Sequence, residues 1–99
     1  VLPDSTEERK HINTWLAANC FGDYYTRTGL TNAQREMITF CYIASQGGCE
    51  PQLRSHTAAN FRNGNDRKKM YAVAEAMMPY IGYPRTLNAM AVIDEGVGK

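Results

Sequence analysis

The chain has 99 residues, enough for one domain with a modest core and too few for two. Its 11 lysines and arginines against 10 acids leave a net charge of +1, so it lacks the basic surplus that a nucleic-acid surface needs. A hydrophobic share of 43% is that of an ordinary soluble globular protein.

Asp4-Ser5-Thr6-Glu7-Glu8 offers an N-cap followed by first-turn acids. That pattern predicts a first helix over about Ser5 to Asn19, with Ile12, Trp15, Leu16 and Ala18 to Cys20 as its apolar side. Gly22 and Asp23 break it, and Tyr24 to Gly29 reads as a connector with aromatic anchors. Thr31 with Gln34 then forms a capping box. Met37, Phe40, Cys41 and Ala44 follow at helical spacing until Gly47-Gly48 ends the second helix. A third helix is predicted from Glu50 to Asn63, with Leu53, Thr57 and Phe61 inward and Gly64 as its C-terminal cap. Asn65 or Asp66 starts a fourth, whose inward stripe is Met70, Val73, Ala74, Met77 and Ile81.

Tyr71, Met78 and Tyr80 fall outside that stripe. A helix apolar on several faces is buried, and in so short a chain the cover is expected from another subunit. Pro79 is expected to kink or end the helix. Pro84 opens a final helix, Arg85 to about Glu95, with Leu87, Met90 and Ala91 packing and Gly96 to Lys99 as a frayed tail. No two-residue hairpin turn and no sustained period-two alternation occurs, so the predicted class is all-α.

Three cysteines at wide spacings make neither a disulfide framework nor a zinc pattern, and reduced thiols in a cytoplasmic compartment are the expectation. No signal peptide or membrane span is visible. The longest apolar run, Met70 to Tyr83, is interrupted by Glu75, Pro79 and Gly82. Arg67-Lys68-Lys69 reads as a solvated helix start. The chain begins at Val1, which fits a processed product or a fragment of a longer or tandem protein.

The most informative run is Gly47-Gly48-Cys49-Glu50-Pro51-Gln52-Leu53-Arg54-Ser55-His56. Pro51 suits a first helical turn, where its missing N–H costs nothing. Cys49 therefore falls at a helix N-terminus, where free N–H groups and the dipole favour a thiolate. His56 lies two turns later on nearly the same face, roughly 10 Å along the axis, too far for a direct hydrogen bond to Cys49. The same separation argues against one metal ion taking both, with Glu36 as a third ligand, so no metal site is expected.

Glu36 lines up with Phe40 and Ile43 on the second helix. A carboxylate on an apolar line is desolvated, an environment suited to general acid–base work. The plain alternative is a surface acid favoured by the helix dipole. His56, at the edge of the Leu53–Thr57–Phe61 stripe, is either a base or relay or a half-buried histidine tied to a neighbour. Cys20 and Cys41, among apolar neighbours, read as inert. Arg85 beside Tyr80 and Tyr83 could hold an anionic group, against the alternative of a surface arginine.

Arg35-Glu36, Gly47 to Leu53, His56 and the late run Pro79-Tyr80-Ile81-Gly82-Tyr83-Pro84-Arg85-Thr86-Leu87-Asn88-Ala89 together resemble the carboxymuconolactone decarboxylase family, part of the alkylhydroperoxidase D-like superfamily. The resemblance covers about residues 31–93 of a single domain. It implies an all-helical bundle of about five to six helices that assembles as homo-oligomers, trimers or hexamers. Peroxidase members carry a Glu, a Cys-x-x-Cys pair and a His. Glu36, Cys49 and His56 match the Glu, the first Cys and the His, while Gln52 stands where the second Cys would be, which argues against a dithiol cycle.

The decarboxylase branch does without the pair and implies a cofactor-independent lyase. There a small lactone or diacid loses carbon dioxide, Glu36 and His56 transfer protons, Arg85 with Tyr80 binds substrate, and Cys49 lines the pocket. The alternatives are a thiol-dependent antioxidant peroxidase using Cys49 with an external thiol, and a non-catalytic oligomeric module. The partners implied are a small-molecule substrate and further copies of the chain, with no nucleic acid, no membrane, no cofactor and no metal.

Overall fold

The computed structural model describes residues 7–19 and 28–97, with the backbone alone at residue 97. The chain divides into two compact units, residues 1–31 and 32–99, each described by itself. In the first, α1 (Lys10–Trp15) runs on into a wider π turn over residues 16–19. The expected start near Ser5, the connector from Tyr24 to residue 27 and Cys20 lie outside the described residues. No residue of α1 is buried; Ile12 and Trp15 are more than half exposed.

The second unit is a bundle of α2 (Asn32–Gln46), α3 (Glu50–Arg62), α4 (Arg67–Ile81) and α5 (Tyr83–Val97). Within the described residues the elements are all helical. Helix α3 packs against both α2 and α5, and α4 lies along α5. Phe40 and Ala44 of α2, Leu53 of α3, Met70 and Ala74 of α4, and Ala89, Val92 and Ile93 of α5 form one core. Phe40, Met70 and Ile93 are fully buried, each stabilising the bundle by roughly 1.5–3 kcal/mol.

Helix boundaries follow local chemistry. Gly47 and Gly48, at φ +72° and +73°, turn the chain between α2 and α3 in a conformation a side chain resists. Cys49 caps α3 without a side-chain cap bond, and Pro51 sits in its first turn. Asp66 caps α4, its carboxylate accepting from the Lys69 N–H at 2.8 Å.

Two expectations are corrected, the first in part. Of the two outcomes expected of Pro79, a kink or an end, the end does not fall at Pro79: α4 runs on to Ile81, the Gly82 N–H still reaches the Met78 carbonyl at 2.9 Å, and Gly82 at φ +85° makes the stop. So close to the C-terminus a proline removes one ladder donor and the last turn tolerates it. In α5 the inward line is Thr86, Ala89, Val92 and Ile93, whereas Leu87 is 61% exposed and Ala91 is exposed as well. The core takes the face of α5 that carries Ala89, Val92 and Ile93, and Leu87 lies on the other side of the helix. Met90 is half-buried, as expected. The outward apolar face expected on α4 is present at Tyr80, which is 89% exposed.

Candidate functional site

Glu36 lies one turn into α2, on the line that carries Phe40 inward, and only 6% of it is exposed. His56, on α3, meets it there. The imidazole Nδ1 and Glu36 Oε2 are 2.7 Å apart, with 22% and 9% of the two side chains exposed. Where the carboxylate is ionised it can only accept, and this bond then requires the proton on Nδ1. Nε2 makes no hydrogen bond among the described residues. A carboxylate bonded to Nδ1 beside an unengaged Nε2 is an arrangement able to pass a proton: the carboxylate orients the ring and would stabilise the imidazolium if Nε2 took a proton.

The two helices are held in register by a residue absent from the sequence-based expectations. Asn60, fully buried one turn after His56, donates its amide to the Glu36 carbonyl at 3.0 Å and to the His56 carbonyl at 2.8 Å. Its Oδ1 accepts from Asn65 Nδ2 at 2.8 Å, and Asn65 also donates to the Ala33 carbonyl at 2.9 Å. Two buried amides thus tie the backbone under Glu36 to the backbone under His56. The available signal was the spacing: Asn60 is four residues after His56, directly above it on one helix face.

Cys49 is placed elsewhere. Its thiol donates to the Ile43 carbonyl at 3.3 Å and lines a hollow of about 10 Å³ with Gly47, Leu53, Arg85 and Asn88, room for about one water. Arg85 lies across Gly47, where an added Cβ would come within 2.8 Å of its Nε. Arg85 also borders an open cleft of about 670 Å³ with Gln46, Gly48, Ile81, Pro84 and Asn88. The fold therefore brings together Glu36 with His56, and Cys49 with Arg85. Tyr80 borders neither hollow, and Gln52, where a second thiol would stand, is exposed on α3. Burial pushes the Cys41 thiol above its ordinary value, in keeping with an inert cysteine. Among the described residues no group of three or more His, Cys, Asp or Glu side chains could hold a metal ion. Nor is any described helix long and apolar enough to cross a membrane.

In comparisons with known proteins, the carboxymuconolactone decarboxylase family profile matches residues 11–95, a longer span than the motifs from 31 to 93 alone. No curated protein matches the chain.

Proposed function

The chain belongs to the carboxymuconolactone decarboxylase family, and from that premise we propose a cofactor-independent decarboxylase acting on a small anionic lactone or organic acid. The observation that supports this most is the 2.7 Å Glu36–His56 contact, mostly withdrawn from water. In the reaction the bond between the substrate carboxylate carbon and the ring breaks, carbon dioxide leaves, and the electron pair remains as a dienolate. His56 Nε2, charged beforehand with a proton from solvent, delivers that proton to quench it and returns to the neutral imidazole, while Glu36 keeps its bond to Nδ1 and holds the ring in place. The experiment is carbon dioxide release across a panel of carboxylated lactones and diacids, headed by 4-carboxymuconolactone. Turnover that disappears in His56→Gln supports the reading, and silence across the panel refutes it.

A second reading rests on Cys49 at the N-cap of α3. There the thiolate takes one oxygen from a hydroperoxide, leaving an alcohol and a sulfenic acid, and two external thiols return the cysteine and release water. The thiol's bond to the Ile43 carbonyl and the exposed Gln52 favour the first reading. Peroxide consumption that survives Cys49→Ser would exclude the second. We further propose a homo-oligomer, trimer or hexamer, covering Tyr42, Tyr80, Tyr83 and Leu87, each more than 60% exposed on the helical bundle.

A further inference from the structure

Glu36 sits where apolar packing gives α2 the least hold. The helix buries no side chain ahead of Glu36, and its contacts with the core begin after it, with the partly buried Met37 and with Phe40. Apolar burial is non-directional. A 2.7 Å contact between Glu36 and His56 instead requires the start of α2 to be set against α3 within about 0.5 Å.

The turn between α3 and α4 supplies directional bonds at that place. Gly64, at φ +90°, ends α3 in a Schellman motif: the Asn65 N–H reaches back to the Asn60 carbonyl at 2.9 Å and the Gly64 N–H to the Phe61 carbonyl at 3.1 Å. Asn65 is thereby buried, 3% exposed, with its side-chain amide directed at α2. One amide hydrogen goes to the Ala33 carbonyl, three residues before Glu36, at 2.9 Å, and the other to Asn60 Oδ1 at 2.8 Å. Asn60 gives both of its own amide hydrogens to the Glu36 and His56 carbonyls. Every acceptor in this chain is an oxygen that carries no hydrogen, so neither amide can be turned end for end without losing its bonds.

We propose that Asn65 is a positioning residue for the acid–base pair. From the α3–α4 turn it holds the start of α2, and with it Glu36, where the carboxylate engages His56 Nδ1 and leaves Nε2 unengaged. It touches neither side chain of the pair and acts through Ala33 and Asn60. The inference rests on the acid–base reading of Glu36 and His56, and goes beyond it in making the α3–α4 turn part of the site. Without the Asn65 amide the start of α2 loosens and the carboxylate no longer fixes the ring. The imidazole then returns to the tautomer that a free histidine side chain favours, with the proton on Nε2, and Nε2 can no longer accept one.

The test is proton–nitrogen correlation NMR of the imidazole rings in the isotope-labelled full chain at alkaline pH, which shows which ring nitrogen carries the proton. His11, exposed on α1, is the internal reference. The wild type is expected to hold the His56 proton on Nδ1. In Asn65→Ala the ratio of Nδ1–H to Nε2–H should fall about tenfold, the scale of one charge-assisted hydrogen bond. Asn65→Ser, which keeps a single shorter donor, should lower it by less, and it carries the comparison if Asn65→Ala does not fold. Asp66→Ala removes the neighbouring cap of α4, loosening the same turn without touching the amide chain, and should leave the ratio at its wild-type value. The proposal is overturned if the Asn65 variants that circular dichroism shows to be folded keep the wild-type ratio. It is equally overturned if Asp66→Ala lowers the ratio as much, since general loosening of the turn then accounts for the effect. A wild type with the proton on Nε2 overturns the acid–base reading itself and the proposal with it, whereas an unchanged ratio in the Asn65 variants overturns the positioning role alone. The readout requires no substrate.

Discussion

Truncating Asn60 to alanine removes the amide that joins the backbone beneath Glu36 to the backbone beneath His56. Three hydrogen bonds go: two donated, to the Glu36 and His56 carbonyls, and one accepted from Asn65. The two carbonyls lie inside helices and keep their ladder partners, and Asn65 keeps its bond to Ala33. No group is therefore left fully orphaned, and the loss is the net worth of the bonds, about 0.5–1.5 kcal/mol each, plus a small cavity. The expected destabilisation is about 2–4 kcal/mol. For a domain of this size that lowers the urea midpoint by on the order of 1 M at unchanged slope. The assay is urea unfolding followed by circular dichroism at fixed protein concentration, which holds any association constant. Asn60→Leu fills the volume without restoring the bonds and should keep most of the deficit. A loss below about 0.5 kcal/mol in Asn60→Ala, or full recovery in Asn60→Leu, would refute the bridge.

Two other predictions concern the turn into α3 and the thiols. Gly47→Ala and Gly48→Ala share the same positive φ, so each should cost about 1–2 kcal/mol. Gly47→Ala should cost more because its Cβ meets Arg85, and thermal unfolding in an Arg85→Ala background should erase the difference. For Cys41, burial raises the thiol above its ordinary value of 9.0, so the folded state disfavours its thiolate. Its contribution to stability is complete below the unfolded thiol's pKa and is lost as pH rises through the folded one. Peptide mass spectrometry after iodoacetamide treatment at pH 8 should find Cys49 labelled ahead of Cys41, with the Cys41 rate climbing only at higher pH; equal rates at pH 8 would contradict the assignment.

Helix punctuation was legible in the sequence because it is local. The Gly47-Gly48 pair, Pro51 and Asp66 act through their own backbone, and the boundaries they predict agree with the structure within a residue or two. Leu87 lies outside because hydrophobicity says which residues prefer burial, whereas packing against α3 and α4 turns the Ala89, Val92 and Ile93 side of α5 inward. Pro79 places the end of α4 only to within a turn, because a proline's cost depends on how many turns follow it. At the site, the residue types of Glu36 and His56 suggested proton transfer, but their 2.7 Å contact depends on how α2 meets α3, which no single-helix periodicity contains. Spacing puts Asn60 on the His56 face of α3, but the bonds that Asn60 and Asn65 make to α2 depend on the same meeting of helices. Amides read as polar surface until a second helix brings carbonyls to them.

Proton transfer through Glu36 and His56 and thiol chemistry at Cys49 make opposite predictions for the proposed reaction. The direct measurement is carbon dioxide release from 4-carboxymuconolactone by the wild type, His56→Gln and Cys49→Ser side by side, each first shown to be folded by circular dichroism. With proton transfer through His56, turnover is expected from the wild type and at a near-wild-type rate from Cys49→Ser, with a loss of about 100-fold or more in His56→Gln, the range for removing a general acid–base group. Turnover that survives His56→Gln, or that vanishes with Cys49→Ser, would contradict it.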